Sequence, residues 1–204
     1  MLETHSEDAS RLLAACAAER AQVVGFSIGA IIGLDLAIRH PLQVETLIAH
    51  EPPLVHVLPE PLRTQARREQ DEAVEAHRRE GAAAAGKKFM AMTGITYEDS
   101  EPGVERPQPN PRTVANSEFF LAHDAPAAHA YRLDVAALKA SSARIMLAAG
   151  RATAGLWIHQ CPRSLAGLLG ADTIEFPGGH AGFASHPHAL AARLREVLAG
   201  AAAA

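Results

Sequence analysis

The sequence predicts an α/β fold, in which a mostly parallel sheet is flanked by helices and carries an inserted helical cap. Short apolar runs alternate with longer segments of helical periodicity, and parallel strands need crossover helices between them. From residue 53 to residue 141 the strand-like runs stop, and charged, Ala-rich and Pro-rich stretches replace them. We therefore assign residues 1–52 and 142–204 to the core and residues 53–141 to the cap.

The first half of the core is predicted to alternate helices and strands. Residues 5–19 carry leucines and alanines at helical spacing, and residues 28–40 form a second helix that Pro41 ends. Between these helices, residues 21–26 are apolar and too few for a helix, which is typical of a buried strand. Residues 44–49 are rich in β-forming side chains and are predicted to form the next strand.

The second half repeats this pattern after the cap. Residues 144–149 and 173–176 are assigned to short buried strands. A helical segment around residues 164–169 separates the two strands. A last helix, over residues 187–198, closes the domain.

The first predicted strand lies at an edge of the four-stranded sheet. There it would expose Val23, Val24 and Phe26, and natural proteins avoid long apolar edges of this kind. We therefore expect something to cover the edge, either more chain or a second copy of the protein in a homo-oligomer.

The composition excludes several functional classes. A net charge of -4 and a pI near 6.2 argue against nucleic-acid binding, which needs a concentrated basic face. Cys16 and Cys161 are far apart and belong to no CxxC motif, so we expect neither a disulfide scaffold nor a zinc site. With no leader pattern and no run of about 18 apolar residues, we expect a cytoplasmic protein with a small-molecule substrate, no cofactor and no membrane contact.

A G-x-S-x-G motif follows the first predicted strand and opens the second helix. It spans Gly25 to Gly29 and offers Ser27 as a nucleophile on a sharp, strained turn. Gly25 and Gly29 are expected to leave room for neighbouring backbone to approach closely. The peptide N–H of Ile28, at the helix start, would point at a developing oxyanion. Gly33, one turn later, lets the helix pack closely on the sheet. The alternative interpretation is a structural turn in a nucleotide-binding type of fold.

A histidine follows the last predicted strand on a glycine-rich loop. His180, in the run Phe-Pro-Gly-Gly-His-Ala-Gly-Phe over residues 176–183, is placed at the same sheet edge as Ser27. A serine hydroxyl needs a base because it is a weak nucleophile at neutral pH. His186 and His188 lie close in sequence, so a histidine-rich metal site is the competing interpretation, although no cysteine or carboxylate cluster accompanies them.

The order of these elements and motifs resembles the α/β-hydrolase superfamily over nearly the whole chain. The resemblance implies a partial α/β-hydrolase fold and a Ser-His-acid triad with the histidine last in the chain. It also implies activity on esters or related acyl substrates. Family members usually begin with additional strands and a loop that supplies a second oxyanion N–H, so the chain resembles an N-terminally shortened member.

The triad acid is the second departure from the family pattern. Relatives commonly carry Asp or Glu after the penultimate strand, where this chain has residues 150–155 without any carboxylate. Glu51, which ends the strand after the nucleophile helix, is the best substitute to orient His180. The alternative is that Glu51 only lines the pocket or caps a turn. Asp124 and Asp134 are weaker candidates.

Two hypotheses about function remain open from the sequence. The first is a serine hydrolase with Ser27, His180 and Glu51 acting on a small, largely apolar ester. The second is a catalytically impaired or non-catalytic remnant that binds a ligand or partner, which the missing strands and the missing usual acid favour. The cap residues that we expect to line the pocket are Asn116, Phe119, Phe120, Leu121 and Tyr131, whereas Trp157 is expected to pack in the loop that lacks the acid.

Overall fold

The computed structural model describes residues 2–16, 20–96, 98–105 and 108–202. Four strands form one sheet in the order β1-β2-β3-β4, and every neighbouring pair is parallel. The α/β fold with a parallel sheet is therefore confirmed. The strands are β1 (Ala21–Phe26), β2 (Val44–His50), β3 (Arg144–Gly150) and β4 (Thr173–Phe176).

The strand register brings the carboxyl ends of all four strands to one edge of the sheet. Phe26 pairs with His50, His50 with Ala148, and Gly150 with Phe176. Because each strand ends at this level, the segments that follow the strands meet there. This is the edge at which open α/β sheets bind ligands.

Helices cover both faces of the sheet. On one face, α1 (Leu2–Ala15) and α2 (Ile28–Arg39) pack with α8 (Trp157–Leu169) around the largest apolar cluster. On the other face, α10 (Pro187–Ala202) packs on Ile48, Ala148 and Phe176 and is preceded by α9 (Gly182–Ser185).

Several predicted helix boundaries differ from the structure. The first helix spans Leu2–Ala15 rather than residues 5–19, of which residues 17–19 lie outside the described residues. The second helix ends at Arg39, one residue before its predicted end. The helix predicted around residues 164–169 begins at Trp157, so this tryptophan opens a helix instead of lying in a loop. The last helix continues to Ala202, four residues beyond its predicted end at 198.

The segment from residue 53 to residue 141 contains only helices and connecting loops in its described part. The elements are a 3₁₀ turn (Val55–Val57), α3 (Leu62–Glu80), α4 (Ala82–Thr93), α5 (Pro111–Phe119), a π-helical turn (Phe120–Asp124), α6 (Ala125–Ala130) and α7 (Val135–Ala140). The two long helices, α3 and α4, pack against each other through an alanine-rich face of α3.

Specific hydrogen bonds fasten this helical segment to the core. The indole N–H of Trp157 donates to Glu69 at 2.8 Å, and the Tyr131 hydroxyl donates to Asp35 at 2.9 Å. Glu101 accepts the backbone N–H groups of residues 188 and 189 at the start of α10. The segment therefore has a defined position over the carboxyl edge of the sheet.

The outer edge of β1 has no partner strand within the described part of the chain, as the sequence predicts. Val23, Val24 and Phe26 are nevertheless half-buried rather than exposed, since helices cover the faces of the strand. Self-association through this edge stays a prediction. No helix in the described ranges has the length and apolar character needed to span a membrane.

Candidate active site

Ser27 lies on the tight turn between β1 and α2. Its backbone has φ 53° and ψ -121°, a conformation that L-residues rarely adopt and that concentrates at functional sites. The Ser27 N–H donates to the His50 carbonyl at 2.9 Å, while its own carbonyl accepts from Ala30 and Ile31 in the first turn of α2. These bonds hold the strained turn in place.

The two glycines of the motif differ in what they do. A Cβ on Gly25 would come within 2.7 Å of the Ala30 Cα, so only glycine allows α2 to return this closely over β1. A Cβ on Gly29 would meet nothing within 4 Å, so the expectation that both glycines make room is wrong for Gly29. Gly33 behaves as predicted, because a Cβ there would lie 2.6 Å from the Leu47 side chain.

Ile28 is the first residue of α2, immediately after Ser27. The first N–H groups of a helix have no intrahelical acceptor, and the helix dipole makes this end partly positive. The Ile28 N–H lies at this partly positive end, directly after Ser27 in the chain.

His180 lies in the loop after β4 and is 3% exposed. Its Nδ1 is 2.8 Å from Oε2 of Glu51, so the carboxylate accepts the Nδ1 proton and leaves Nε2 as the basic nitrogen. Nε2 is buried and has no hydrogen-bond partner among the described residues. The imidazole thus combines a fixed orientation with one free nitrogen.

Glu51 is fully buried at the end of β2 and has a positive φ of 45°. Burial alone would raise the pKa of this carboxyl, but the hydrogen bond with His180, the nearby His50 and the Thr153 hydroxyl together lower its pKa below the usual value. Glu51 is therefore ionised at neutral pH and can stabilise an imidazolium at His180.

The loop after β3 supplies the groups that hold Glu51. The Gly150 N–H donates to Oε1 of Glu51 at 2.8 Å, and the Thr153 hydroxyl makes a short hydrogen bond to the same oxygen. The imidazole Nδ1 of His159 lies 3.0 Å from the carbonyl oxygen of Gly150 in the same loop. Sequence reasoning missed Thr153, although its position in the loop that lacks a carboxylate was the available signal.

Ser27 and His180 line one narrow cavity beneath the helical segment. Its free volume is about 20 Å³, which is space for about one water molecule. Ile28 and Pro53 contribute to the floor. The remaining lining comes mainly from the helical segment and α8, namely Gln70, Phe89, Met92, Thr93, Phe120, Ala125, Ala128, His129, Trp157 and Ile158.

Most of the predicted pocket residues lie elsewhere. Phe120 alone of the five lines this cavity. Asn116 and Phe119 are exposed, as is every other residue of α5. Leu121 packs in a small apolar cluster, and Tyr131 reaches Asp35 in the core instead.

The weaker acid and metal candidates also lie outside the cavity. Asp124 is 3.8 Å from His5, and Asp134 caps α7 by accepting the N–H of residue 137. His186 is paired with Ser185, and His188 is exposed. Within the described ranges, no group of three or more His, Cys, Asp or Glu side chains could hold a metal ion.

Comparisons with known proteins agree with the α/β fold of the chain. The chain is 36% identical to the uncharacterized hydrolase YraK of Bacillus subtilis (strain 168) over 201 residues, which is 97% of this chain and 70% of that protein. A carboxylesterase of Nitrososphaera gargenis has a TM-score of 0.67 at 16% identity, covering 99% of this chain and 73% of the other. MGS-M2, an alpha/beta hydrolase from a deep-sea metagenome, has a TM-score of 0.60 at 17% identity, covering 98% and 70%. No protein-family model matches the chain.

Proposed function

Because this chain belongs to the α/β-hydrolase superfamily, we propose that it is a serine hydrolase that cleaves esters or related acyl substrates. Ser27 is the nucleophile, His180 the general base, and Glu51 the acid that orients His180. The Ile28 N–H is an oxyanion donor. Residues 53–141 form the cap that covers the site.

One observation carries this proposal. His180 is held on one side by the buried Glu51 carboxylate, and its other nitrogen has no partner beside a cavity that Ser27 lines. An unpaired buried polar atom costs about 1–3 kcal/mol, and this one lies in the same cavity as the serine hydroxyl that needs a base. The contact also weakens the non-catalytic alternative, since Glu51 supplies the carboxylate that the loop after β3 lacks.

The first half-reaction forms an acyl-enzyme. Ser27 Oγ attacks the carbonyl carbon as His180 Nε2 takes the hydroxyl proton, and the Ile28 N–H stabilises the oxyanion. When the tetrahedral intermediate collapses, Nε2 returns the proton to the alcohol that leaves. The ionised Glu51 stabilises the imidazolium in both steps.

The second half-reaction releases the acid. Nε2 takes a proton from water, the hydroxide attacks the acyl carbon, and collapse returns Ser27 to its hydroxyl form. The cavity has space for only about one water molecule, so an ester can enter only if side chains such as Phe89 and Phe120 move aside. Entry through the helical cap is therefore part of the proposed cycle.

Hydrolysis of p-nitrophenyl acetate and butyrate tests the proposal. We expect turnover by the wild-type protein and its loss by at least about 10⁴-fold in Ser27→Ala. The matched control is Ser142→Ala, which removes an exposed hydroxyl that donates to the Pro41 carbonyl at 3.2 Å. Equal activity in wild type and Ser27→Ala, or none in a folded wild-type sample, would contradict the proposal.

A further inference from the structure

Two residues with unpaired buried polar atoms line the cavity beside Ser27. In the described part of the chain, buried side-chain atoms without a partner occur in Gln43, His50, Gln70 and His180. Of these, His180 and Gln70 line this cavity. The proposed reaction uses His180 Nε2 but gives no role to the Gln70 amide.

Gln70 is a buried polar residue on α3. It is 4% exposed, and its amide Nε2 has no hydrogen-bond acceptor among the described residues. Around it the cavity is lined by apolar side chains, including Phe89, Met92 and Phe120. An unpaired amide in such surroundings destabilises the free protein, so its presence calls for an explanation.

The other polar side chains of the cavity are different. The Thr93 hydroxyl donates to the Phe89 carbonyl at 2.7 Å, so its proton is already used. Burial lowers the pKa of His129 to about 4, although Asp71 opposes the shift, and the imidazole is therefore neutral at pH 7. Among the described residues, no Lys or Arg side chain lines the cavity, which disfavours an anionic substrate.

We propose that the Gln70 amide determines specificity by donating a hydrogen bond to a second carbonyl oxygen of the substrate. This inference rests on the proposed function and names the substrate class: neutral esters that carry a ketone or amide oxygen in addition to the scissile carbonyl. It narrows the prediction of a small, largely apolar ester to one that also carries this polar group. A site built to hydrogen-bond a substrate group rejects the analogue that lacks this group, because its own polar atom is then left unpaired.

Matched esters test the role of Gln70. p-Nitrophenyl hexanoate is compared with its 4-oxo and 5-oxo derivatives, and hexyl hexanoate with esters that carry the oxo group on the alcohol chain. Wild type should prefer at least one oxo ester over its hydrocarbon analogue by about 5- to 150-fold in kcat/KM. The readout is this ratio, which a general loss of activity does not change.

Gln70→Met keeps the length of the side chain and removes the donor, and Gln70→Leu is a second variant if the first does not fold. Both variants should bring the ratio of kcat/KM for the oxo ester to kcat/KM for its hydrocarbon analogue close to one. Gln65→Met is the matched control on the same helix, where the amide is exposed and bound to Glu69. This control should retain the wild-type ratio.

The outcomes separate the two proposals. Hydrolysis of all esters with ratios near one in wild type, or ratios that persist in Gln70→Met, would overturn the role of Gln70 and leave the serine hydrolase intact. Absence of hydrolysis of every ester by folded wild type would overturn the proposed function itself. A wild-type preference that is lost in Gln70→Met and kept in Gln65→Met would support both.

Discussion

Asp35 and Glu51 are both buried carboxylates, but their surroundings differ. Asp35, on α2, accepts hydrogen bonds from Ser6, Arg39 and Tyr131, which join α1, α2 and the end of the helical segment. All three partners of Asp35 are side chains that hold these helices together. Glu51 also has three partners, yet one of them is His180, whose second nitrogen is unpaired beside the cavity.

The difference separates a structural carboxylate from a functional one. A network in which every atom is satisfied fixes positions and has no capacity left for a ligand. The Glu51 network ends at His180 Nε2, a basic nitrogen without a partner among the described residues. This nitrogen can therefore bind a group that the protein itself does not supply. Substitutions at Asp35 should therefore change stability, and substitutions at Glu51 should change reactivity.

The largest expected effect is that of Glu51→Gln. The neutral amide cannot stabilise an imidazolium and can stabilise the wrong tautomer of His180, so kcat/KM should fall by about 10⁴-fold. Steady-state hydrolysis of p-nitrophenyl butyrate measures this change. A loss smaller than about tenfold would mean that Glu51 only packs at the turn and that the comparison with Asp35 is unfounded.

His50 tests whether an unpaired buried atom is sufficient for function. Its ring lies between Phe26 and Phe176, and neither nitrogen has a partner in the described structure, but it does not line the cavity with Ser27. Burial lowers the pKa of His50 to about 4, and the charge of Glu51 opposes the shift. We therefore expect His50 to affect stability through pH rather than catalysis.

The sign of the pH effect follows from that pKa. His50 is protonated near pH 6.5 in the unfolded chain and only near pH 4 in the folded chain. The contribution of neutral His50 to the free energy of unfolding is therefore fully present above pH 6.5 and is lost as the pH falls towards 4. Between pH 7.5 and 5 this group contributes about 2 kcal/mol. Urea unfolding of His50→Leu should show a correspondingly weaker pH dependence, and parallel curves for both proteins would contradict the account.

Asp35→Asn should destabilise the protein and leave the chemistry intact. The amide cannot satisfy the donors of Ser6, Arg39 and Tyr131 together, so we expect a loss of about 1–2 kcal/mol in the free energy of unfolding. In a chain of this size the Tm should fall by roughly 2–8 °C. Thermal unfolding followed by circular dichroism measures this, with kcat/KM at 20 °C as the paired readout, and a 10⁴-fold loss of activity would remove the distinction from Glu51.

Thr153 should have the smallest effect, because it acts through Glu51. Thr153→Val removes the hydroxyl from Oε1 of Glu51 and should lower kcat roughly tenfold, with the acidic limb of the pH–rate profile shifted to higher pH as the pKa of Glu51 rises. Thr153→Ser keeps the hydroxyl and should restore both. An unchanged pH profile in the valine variant would show that Thr153 is only packing.

The sequence predicted the parallel sheet because its strand signals are local. The boundaries of β1 and β4 agree with the predicted ones to the residue. In β1, a short apolar run between polar residues marks both ends of the strand. The G-x-S-x-G turn was recognisable for the same reason, because Gly25 and Ser27 are neighbours in the chain.

The pocket could not be predicted in the same way. Gln70 and His129 come from different helices, and their meeting over Ser27 depends on how α3 and α6 pack, which composition does not encode. Phe119 and Tyr131 have suitable chemistry for a pocket, but the first is exposed and the second bonds to Asp35. Likewise, the contact between Thr153 and Glu51 joins residues 102 positions apart.

The most direct test of the central claim is the rate at which a fluorophosphonate labels Ser27 in wild type, Asp35→Asn and Glu51→Gln, with Ser27→Ala as the blank. Peptide mapping identifies the labelled residue, and circular dichroism establishes that each sample is folded. The account predicts labelling confined to Ser27, at similar rates in wild type and Asp35→Asn and much more slowly in Glu51→Gln. Equal rates in Glu51→Gln and wild type, or no labelling of folded wild type, would contradict it.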